Sequence, residues 1–208
     1  MSARNASGSA GYGVMPGIVK ENEDPENMGR VRIEFPYWEN QDVTEWARVA
    51  TPMAGAEMGA YFLPEVGDEV LVAFEHGDVR YPYVIGCLWN GAEKPPESND
   101  GNNNVRKIKT RSGHEIILND DDNGAKLTIT SSSGNCITLD DASGGECVKI
   151  EDKSGNSITL DAASNAISLE CSGELKIKGN MVKIDADSTL EIGAGATLKI
   201  KGALVQIN

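Results

Sequence analysis

Few residues in this sequence have the types and spacing that chemistry requires. The run Asp120-Asp121-Asp122-Asn123-Gly124 offers the oxygen ligands that calcium prefers. It lacks the alternating D-x-D-x-D-G spacing and the bidentate Glu of a calcium loop, so an acidic solvated turn is the better interpretation. His76 and His114 have no partner at a spacing that suggests catalysis, and we expect both on the surface.

The cysteines are not arranged as a site either. They are Cys87, Cys136, Cys147 and Cys171. No two of them form a C-x-x-C pair, and only two histidines are present, so a zinc site is not expected. Cys136 occupies a repeat position held elsewhere by Glu115 and Ser157, which is typical of a turn or surface position. We therefore predict no catalytic residue, no metal and no cofactor, and we expect four free thiols.

Charge and hydropathy limit the possible partners. The net charge of −13 argues against a nucleic-acid partner, because phosphate binding needs clustered Lys and Arg. No run approaches 18 consecutive apolar residues, as a membrane-spanning helix would require. Residues 1–13 have no apolar stretch typical of a signal peptide. We expect assembly in the cytoplasm and a flexible N-terminal arm over residues 1–13.

The second half of the chain is built from short apolar triplets, in most of which the middle residue is polar. This alternation has a period of two, which is typical of a strand with one buried face. Triplets begin at Ile116, Leu127, Ile137, Val148, Ile158, Ile167, Leu175, Val182, Leu190, Leu198 and Val205.

Two periods occur within this tract. The similar segments SGHEIIL, SGNCITL and SGNSITL begin at Ser112, Ser133 and Ser154, and we call this evenly spaced series the long repeat. From Leu175 onward the triplets start 7, 8, 8 and 7 residues apart. Self-similarity at a fixed period predicts a stacked architecture. A single-chain parallel β-helix, as in carbohydrate-active enzymes, is one alternative, since one unit of the long repeat would fit one rung.

A three-chain needle is the preferred alternative. Burying an Ile or Leu gains roughly 1.5–3 kcal/mol, whereas ordering each residue costs about 1–2 kcal/mol of backbone entropy. The net free energy of ordering one triplet in a single chain is therefore close to zero. It becomes favourable if three chains wind around one axis, so that each strand stacks on strands of its neighbours and the middle residues face water. We predict a homotrimeric, intertwined triple-stranded β-helix over residues 105–208. Its trimer core is predicted to contain Ile177, Val182, Ile184, Leu190, Ile192, Leu198 and Ile200.

The first half reads as a small closed barrel. Five strands are predicted, at Gly17–Glu21, Gly29–Phe35, Trp46–Thr51, Asp68–Glu75 and Tyr83–Trp89. Residues 70–74 are apolar throughout, so we expect that strand to be buried on both faces. No helical period is present, and five short strands in about 75 residues favour an OB-fold.

An OB-fold can bind oligonucleotides or sugars through exposed aromatic and basic residues. The candidates are Phe35, Tyr37, Trp38, Trp46 and Arg48. A binding module of this kind is a second alternative. Because the chain is acidic and its second half carries many apolar triplets, packing between protomers or onto another protein is the preferred interpretation of these residues.

Four stretches are similar, in order, to the OB-fold of the VgrG and phage baseplate protein V family. They are MGRVRIEFPYW (residues 28–38), EWARVATPMAG (45–55), LPEVGDEVLVAFEHGDVRYPYVIGCLWN (63–90) and EKPP (93–96). Members of this family are central spikes of contractile injection machines. The resemblance implies an OB-fold domain over residues 14–97, a polar linker over 98–104 and a trimeric β-helical spike over 105–208.

The resemblance also implies partners. Large members carry a hub domain ahead of the OB-fold, where this chain has 13 residues, so we expect a separate baseplate hub protein at the OB end. A PAAR-repeat tip protein, sometimes with effector cargo, is expected to dock on Leu204, Val205, Ile207 and Asn208. The expected function is mechanical and not enzymatic. The homotrimer would pierce a target membrane as part of a phage tail-like or type VI-like injection particle.

Overall fold

The computed structural model describes residues 13–37 and 43–207. Within these ranges the regular elements are β-strands, apart from a single 3-10 turn at Glu75–Gly77. None of the described residues forms a helix that is long and apolar enough to cross a membrane. The chain divides into two compact units between Asn103 and Asn104. The all-β architecture predicted from the sequence is confirmed.

The first unit contains seven strands. They are β1 (Val14–Glu21), β2 (Arg32–Glu34), β3 (Arg48–Val49), β4 (Ala54–Gly55), β5 (Met58–Gly59), β6 (Glu69–Phe74) and β7 (Pro82–Cys87). Five of them form a sheet in the order β2-β1-β6-β7-β3, in which only the β3–β7 pair is parallel. Backbone bridges from Val31 to Ala47 and from Glu34 to Val43 join the two ends of this sheet. The sheet therefore curls back on itself, and the predicted five-stranded OB barrel is confirmed.

The barrel has a continuous aliphatic core. Its fully buried members are Val19, Val31, Ile33, Phe35, Ala47, Val70, Val72 and Val84. Gly17 lets β1 cross this core closely, because a Cβ atom there would lie 2.4 Å from Ile33 Cγ2. In β6 only Val70 and Val72 are buried, while Leu71 is half-buried. The prediction that this strand is buried on both faces is therefore wrong, because nothing in the described barrel fully covers its second face.

The second unit begins with a seven-stranded antiparallel sheet. Its strands are β8 (Val105–Lys109), β9 (Glu115–Asn119), β10 (Lys126–Thr130), β11 (Cys136–Asp140), β12 (Cys147–Glu151), β13 (Ser157–Asp161) and β14 (Ala166–Glu170). Each strand pairs with the next along the chain, residue for residue and without a register shift. One unit of the long repeat is thus two antiparallel strands with their two turns. It is not a parallel rung, so the sheet does not support a single-chain parallel β-helix.

Strand pairing here differs in detail from the prediction. The triplets between Ile116 and Leu169 form β9–β14. These strands pair with one another within the same chain, whereas the prediction paired them with strands of neighbouring chains. Short strands joined by tight turns can complete their own hydrogen bonds. From Cys171 to Ile207, where five more triplets were predicted as strands, the described backbone forms no strand. A strand needs a second strand beside it, and the single chain does not provide one there.

Candidate functional site: the apolar face of the second unit

One side of the seven-stranded sheet carries two columns of aliphatic side chains, which we call the apolar face. Cross-strand register aligns them, for example Ile137 beside Ile150 and Leu139 beside Val148. Aligned pairs of this kind are the units that stabilise a sheet. The column on one side is Ile108, Ile116, Ile129, Ile137, Ile150, Ile158 and Leu169. The other column is Leu118, Leu127, Leu139, Val148, Leu160 and Ile167.

No described part of the single chain covers this face. Ile137 is 38% exposed, Ile150 is 47% exposed and Leu160 is 45% exposed. Among the described residues of the second unit, none is buried, whereas the barrel core is fully excluded from solvent. A sheet with one apolar face must bury that face, and an exposed apolar patch of this extent marks an interaction surface.

The opposite side of the sheet is largely polar, with Ile117 as an exception, and carries ion pairs. Glu115 receives Lys109 Nζ at 2.8 Å and Lys107 Nζ at 3.2 Å, and these ammonium groups lower the pKa of its carboxyl group. Lys149 lies 2.9 Å from Glu151, which raises the pKa of the Lys149 ammonium group. This side is therefore suited to water, as the alternation of the triplets predicted for their middle residues.

Successive turns along one edge of the sheet are joined by three side chains that share one position of the long repeat. Each of them accepts a hydrogen bond from a backbone N–H group in the next turn on that edge, and we call this set the turn ladder. Its bonds are Ser132 N–H to His114 Nδ1 (3.2 Å), Lys153 N–H to Asn135 Oδ1 (3.1 Å) and Ser172 N–H to Asn156 Oδ1 (3.2 Å). The turn ladder ties each hairpin to the following one.

Sequence reasoning placed His114 on the surface and missed this role. The available signal was that His114, Asn135 and Asn156 share one repeat position and that all three side chains can accept a hydrogen bond. Periodicity alone does not reveal which N–H group faces that position, because the donor belongs to a turn 16 to 18 residues further along the chain.

The acidic run at residues 120–124 forms a turn. Asp121 Oδ1 accepts a hydrogen bond from Asn123 N–H at 2.9 Å, and Gly124 N–H donates to the Asp121 carbonyl oxygen at 3.0 Å. In the part of the chain that the structure describes, no three His, Cys, Asp or Glu side chains come together as a metal site. His76 lies exposed in the turn at Glu75–Gly77.

The candidate ligand-binding residues of the barrel do not form one platform. Phe35 is fully buried in the core and cannot stack on a ligand. The guanidinium of Arg48 lies 4.6 Å from the centre of the Tyr83 ring and donates a hydrogen bond to its hydroxyl. Tyr37 is 79% exposed. Trp38 lies outside the described residues.

Trp46 belongs to a separate cluster around the loop between β1 and β2. The Asp24 carboxylate, only 8% exposed, accepts hydrogen bonds from Arg30 Nε at 2.9 Å and Arg30 Nη2 at 2.7 Å. It also accepts hydrogen bonds from the backbone N–H groups of Glu26 and Met28, each at 3.0 Å. The Arg30 guanidinium lies 5.9 Å from the Trp46 ring. The hydrogen bonds from Arg30, and after them the backbone hydrogen bonds, hold the pKa of Asp24 well below its usual range. Together these contacts fix the loop.

The residues predicted for the trimer core and for tip docking are open to solvent in one chain. More than half of each predicted core residue is exposed, namely Ile177, Val182, Ile184, Leu190, Ile192, Leu198 and Ile200. At the tip the exposed fractions are 82% for Leu204, 50% for Val205 and 89% for Ile207, and Asn208 lies outside the described residues. Both roles stay predictions about an assembly.

Known proteins match part of this chain. Residues 15–89 match the family of type VI secretion system and phage-baseplate injector OB domains. The chain is 33% identical over 104 residues to the type VI secretion system spike protein VgrG5 of Pseudomonas aeruginosa. It is 32% identical over 127 residues to VgrG4b of the same species, and 36% identical over 76 residues to the spike protein VgrG3 of Vibrio cholerae serotype O1.

These alignments are confined to part of each protein. They cover 48%, 50% and 34% of this chain, but only 13%, 16% and 7% of the respective relatives. The family match falls on the barrel that the structure closes with β1, β2, β3, β6 and β7. The barrel is therefore similar to the injector OB domains of type VI secretion systems and phage baseplates.

Proposed function

We propose that this chain is the homotrimeric central spike of a contractile injection machine. The observation that carries the proposal is an injector-type OB barrel followed by a sheet whose apolar face is largely open to solvent. Relatives of this chain are named as type VI secretion spike proteins. Three copies arranged around a threefold axis would turn their three apolar faces toward one another and enclose a dry interior.

The energy available from covering the face is sufficient for such an assembly. Twelve large aliphatic side chains of β8–β14 are exposed, most of them by about 40%. Covering 40% of an Ile or Leu gains roughly 0.6–1.2 kcal/mol, so twelve give roughly 7–14 kcal/mol per chain. This is comparable to the association cost of about 4–15 kcal/mol, and three chains contribute to it.

The same arrangement supports a mechanical role. A ladder of seven strands without a register shift transmits force along its axis through continuous hydrogen bonds. In this proposal the OB barrels attach the spike to a baseplate hub protein. The needle is driven through a target membrane as part of an injection particle, and no chemical step at the needle is required.

The tip is the second surface in the proposal. Leu204 and Ile207 are more than four-fifths exposed, and Val205 is half-exposed. An exposed apolar surface of this kind favours binding of another protein. We propose that a PAAR-repeat tip protein binds there. An effector fused to or bound by that tip protein would be delivered with the spike.

A matched pair of substitutions on β11 tests the assembly. Leu139→Asp places a carboxylate on the apolar face, whereas Thr138→Asp places one on the polar side of the same strand. We expect the parent chain and Thr138→Asp to be trimers by mass photometry and to appear in purified injection particles. The Leu139→Asp variant should form no trimer by mass photometry and should be absent from purified injection particles. A monomeric parent chain, or a normal trimer from Leu139→Asp, would overturn the proposal.

A further inference from the structure

The sequence contains two Asn-Gly pairs, Asn90-Gly91 and Asn123-Gly124. The side-chain amide of an Asn can react with the backbone nitrogen of the next residue. A glycine at that position leaves the nitrogen open to approach, because it has no Cβ atom. We propose that Asn123 is a site of spontaneous covalent modification of this kind, at which the side-chain amide is lost as ammonia. The contacts of Asn90 protect it from the same reaction.

The side chain of Asn123 is unrestrained in the turn between β9 and β10. The residue is exposed, and its side-chain amide makes no hydrogen bond to another described residue. The turn is held by the backbone alone at this point, through Asn123 N–H to Asp121 Oδ1 at 2.9 Å and Gly124 N–H to the Asp121 carbonyl oxygen at 3.0 Å. The second bond must open before the Gly124 nitrogen can react. Such an opening in a surface turn costs much less than unfolding of the sheet.

Asn90 is held on both sides of its amide. Its Oδ1 atom accepts hydrogen bonds from Ala92 N–H at 2.9 Å and Glu93 N–H at 2.8 Å. Its Nδ2 atom donates to the Glu69 carboxylate at 2.9 Å, and its own backbone N–H donates to the Glu93 carbonyl oxygen at 3.0 Å. Attack on Cγ would require the side chain to rotate and give up these bonds. The same pair of residue types is therefore placed in two opposite situations within one chain.

The backbone does not require a glycine at position 124. Its φ angle lies outside the left-handed region, and a Cβ atom there would have no neighbour within 4 Å. The turn of the long repeat at Gly134 differs, because its φ angle is 93°. A methyl group can thus be added at Gly124 without strain. It would hinder approach to the backbone nitrogen while leaving the turn unchanged.

The reaction needs water as its only co-reactant. The Gly124 nitrogen bonds to Cγ of Asn123, the Cγ–Nδ2 bond breaks, and Nδ2 leaves as ammonia with the proton from the Gly124 nitrogen. Water then opens the cyclic imide at either of its carbonyl groups, which gives aspartate or isoaspartate. Both products place a new negative charge beside Asp122. Isoaspartate also adds a methylene group to the main chain, so the two hydrogen bonds to Asp121 would be displaced.

Ageing of the full-length protein at mildly alkaline pH, followed by peptide mass spectrometry, tests this proposal. The parent chain and Gly124→Ala are incubated side by side, and a third sample of the parent chain is kept in denaturant. Peptides that contain Asn90 or Asn123 are scored for conversion of the amide to a carboxyl group. Fragmentation of the main chain then distinguishes isoaspartate from aspartate.

The two sites should separate only in the folded chain. We expect Asn123 to be converted at least about ten times faster than Asn90, since about 1.4 kcal/mol corresponds to a factor of ten and one net hydrogen bond can contribute that much. In denaturant both sites should react at similar rates. Gly124→Ala should slow conversion at Asn123 and leave Asn90 unchanged. An unmodified Asn123, equal rates at the two sites in the folded chain, or no slowing in Gly124→Ala would each contradict the proposal.

Discussion

Leu160 gives a direct measure of whether the apolar face is buried between chains. It lies on β13, and 45% of it is exposed in the single chain. The preceding residue, Thr159, lies on the polar side of the same strand. Leu160→Ala therefore removes a side chain from the proposed interior, whereas Thr159→Ala shortens a side chain of the outer surface. The two variants share strand, backbone and neighbours.

The size of the effect follows from the exposed fraction. Complete burial of a Leu side chain gains about 1.5–3 kcal/mol, so covering the exposed 45% gains roughly 0.7–1.4 kcal/mol per chain. Three copies bring the loss in Leu160→Ala to roughly 2–4 kcal/mol of assembly free energy, before any cavity is counted. Because about 1.4 kcal/mol is a factor of ten, the dissociation constant of the trimer should rise roughly 30- to 700-fold.

Denaturant titrations at several protein concentrations, with oligomeric state followed by sedimentation, measure this change. We expect Leu160→Ala to dissociate at lower denaturant, with a midpoint that rises as protein concentration rises. Thr159→Ala should stay within about 0.5 kcal/mol of the parent chain. Equal losses for the two variants, or a Leu160→Ala loss that is independent of concentration, would mean that the face is not buried between chains.

Three further outcomes are expected. Asp24→Asn should lower the thermal stability of the barrel at pH 7. The difference in stability from the parent chain should shrink as pH falls below about 4. The reason is that the folded state lowers the pKa of Asp24, so the stabilising charge is lost as the carboxylate becomes protonated. His114→Ala should cost about 1 kcal/mol of needle stability in denaturant unfolding, whereas His114→Asn should restore it, since Asn fills this role elsewhere in the turn ladder. The double change Leu204→Asp and Ile207→Asp should abolish co-purification of a PAAR-repeat protein from an intact trimer, whereas Gln206→Asp should not; retention by the double variant would exclude tip docking there.

Local pattern was sufficient to predict strands β9–β14. Five of the six triplets from Ile116 to Leu169 alternate with a period of two, and all six form strands with their outer residues on one side. The barrel could be recognised because its family motifs run almost continuously through residues 28–90. In both cases the signal lies in neighbouring residues, which is the range over which strand geometry is encoded.

Strand partners were not encoded in the same way. The long repeat fits a parallel rung as well as an antiparallel pair of strands, because either arrangement returns an equivalent residue after one period. The turns decide between them: Gly113, Gly134 and Gly155 adopt positive φ angles of 92°, 93° and 83° and reverse the chain. Contacts between turns, such as Ser132 with His114, are equally invisible to periodicity. The burial of β6 was also misjudged, since Leu71 is apolar yet lies where the barrel leaves it half-exposed.

The described residues of the two units differ in how far a single chain buries them. The barrel encloses Phe35 and Ile33 completely, so its single chain already has a core. The second unit has complete strand pairing in β8–β14 but, among its described residues, no buried side chain. Beyond Cys171 its described residues lack strand pairing as well. In the proposed trimer, the sheet would therefore depend on other copies to cover its apolar side chains, whereas the barrel core would not.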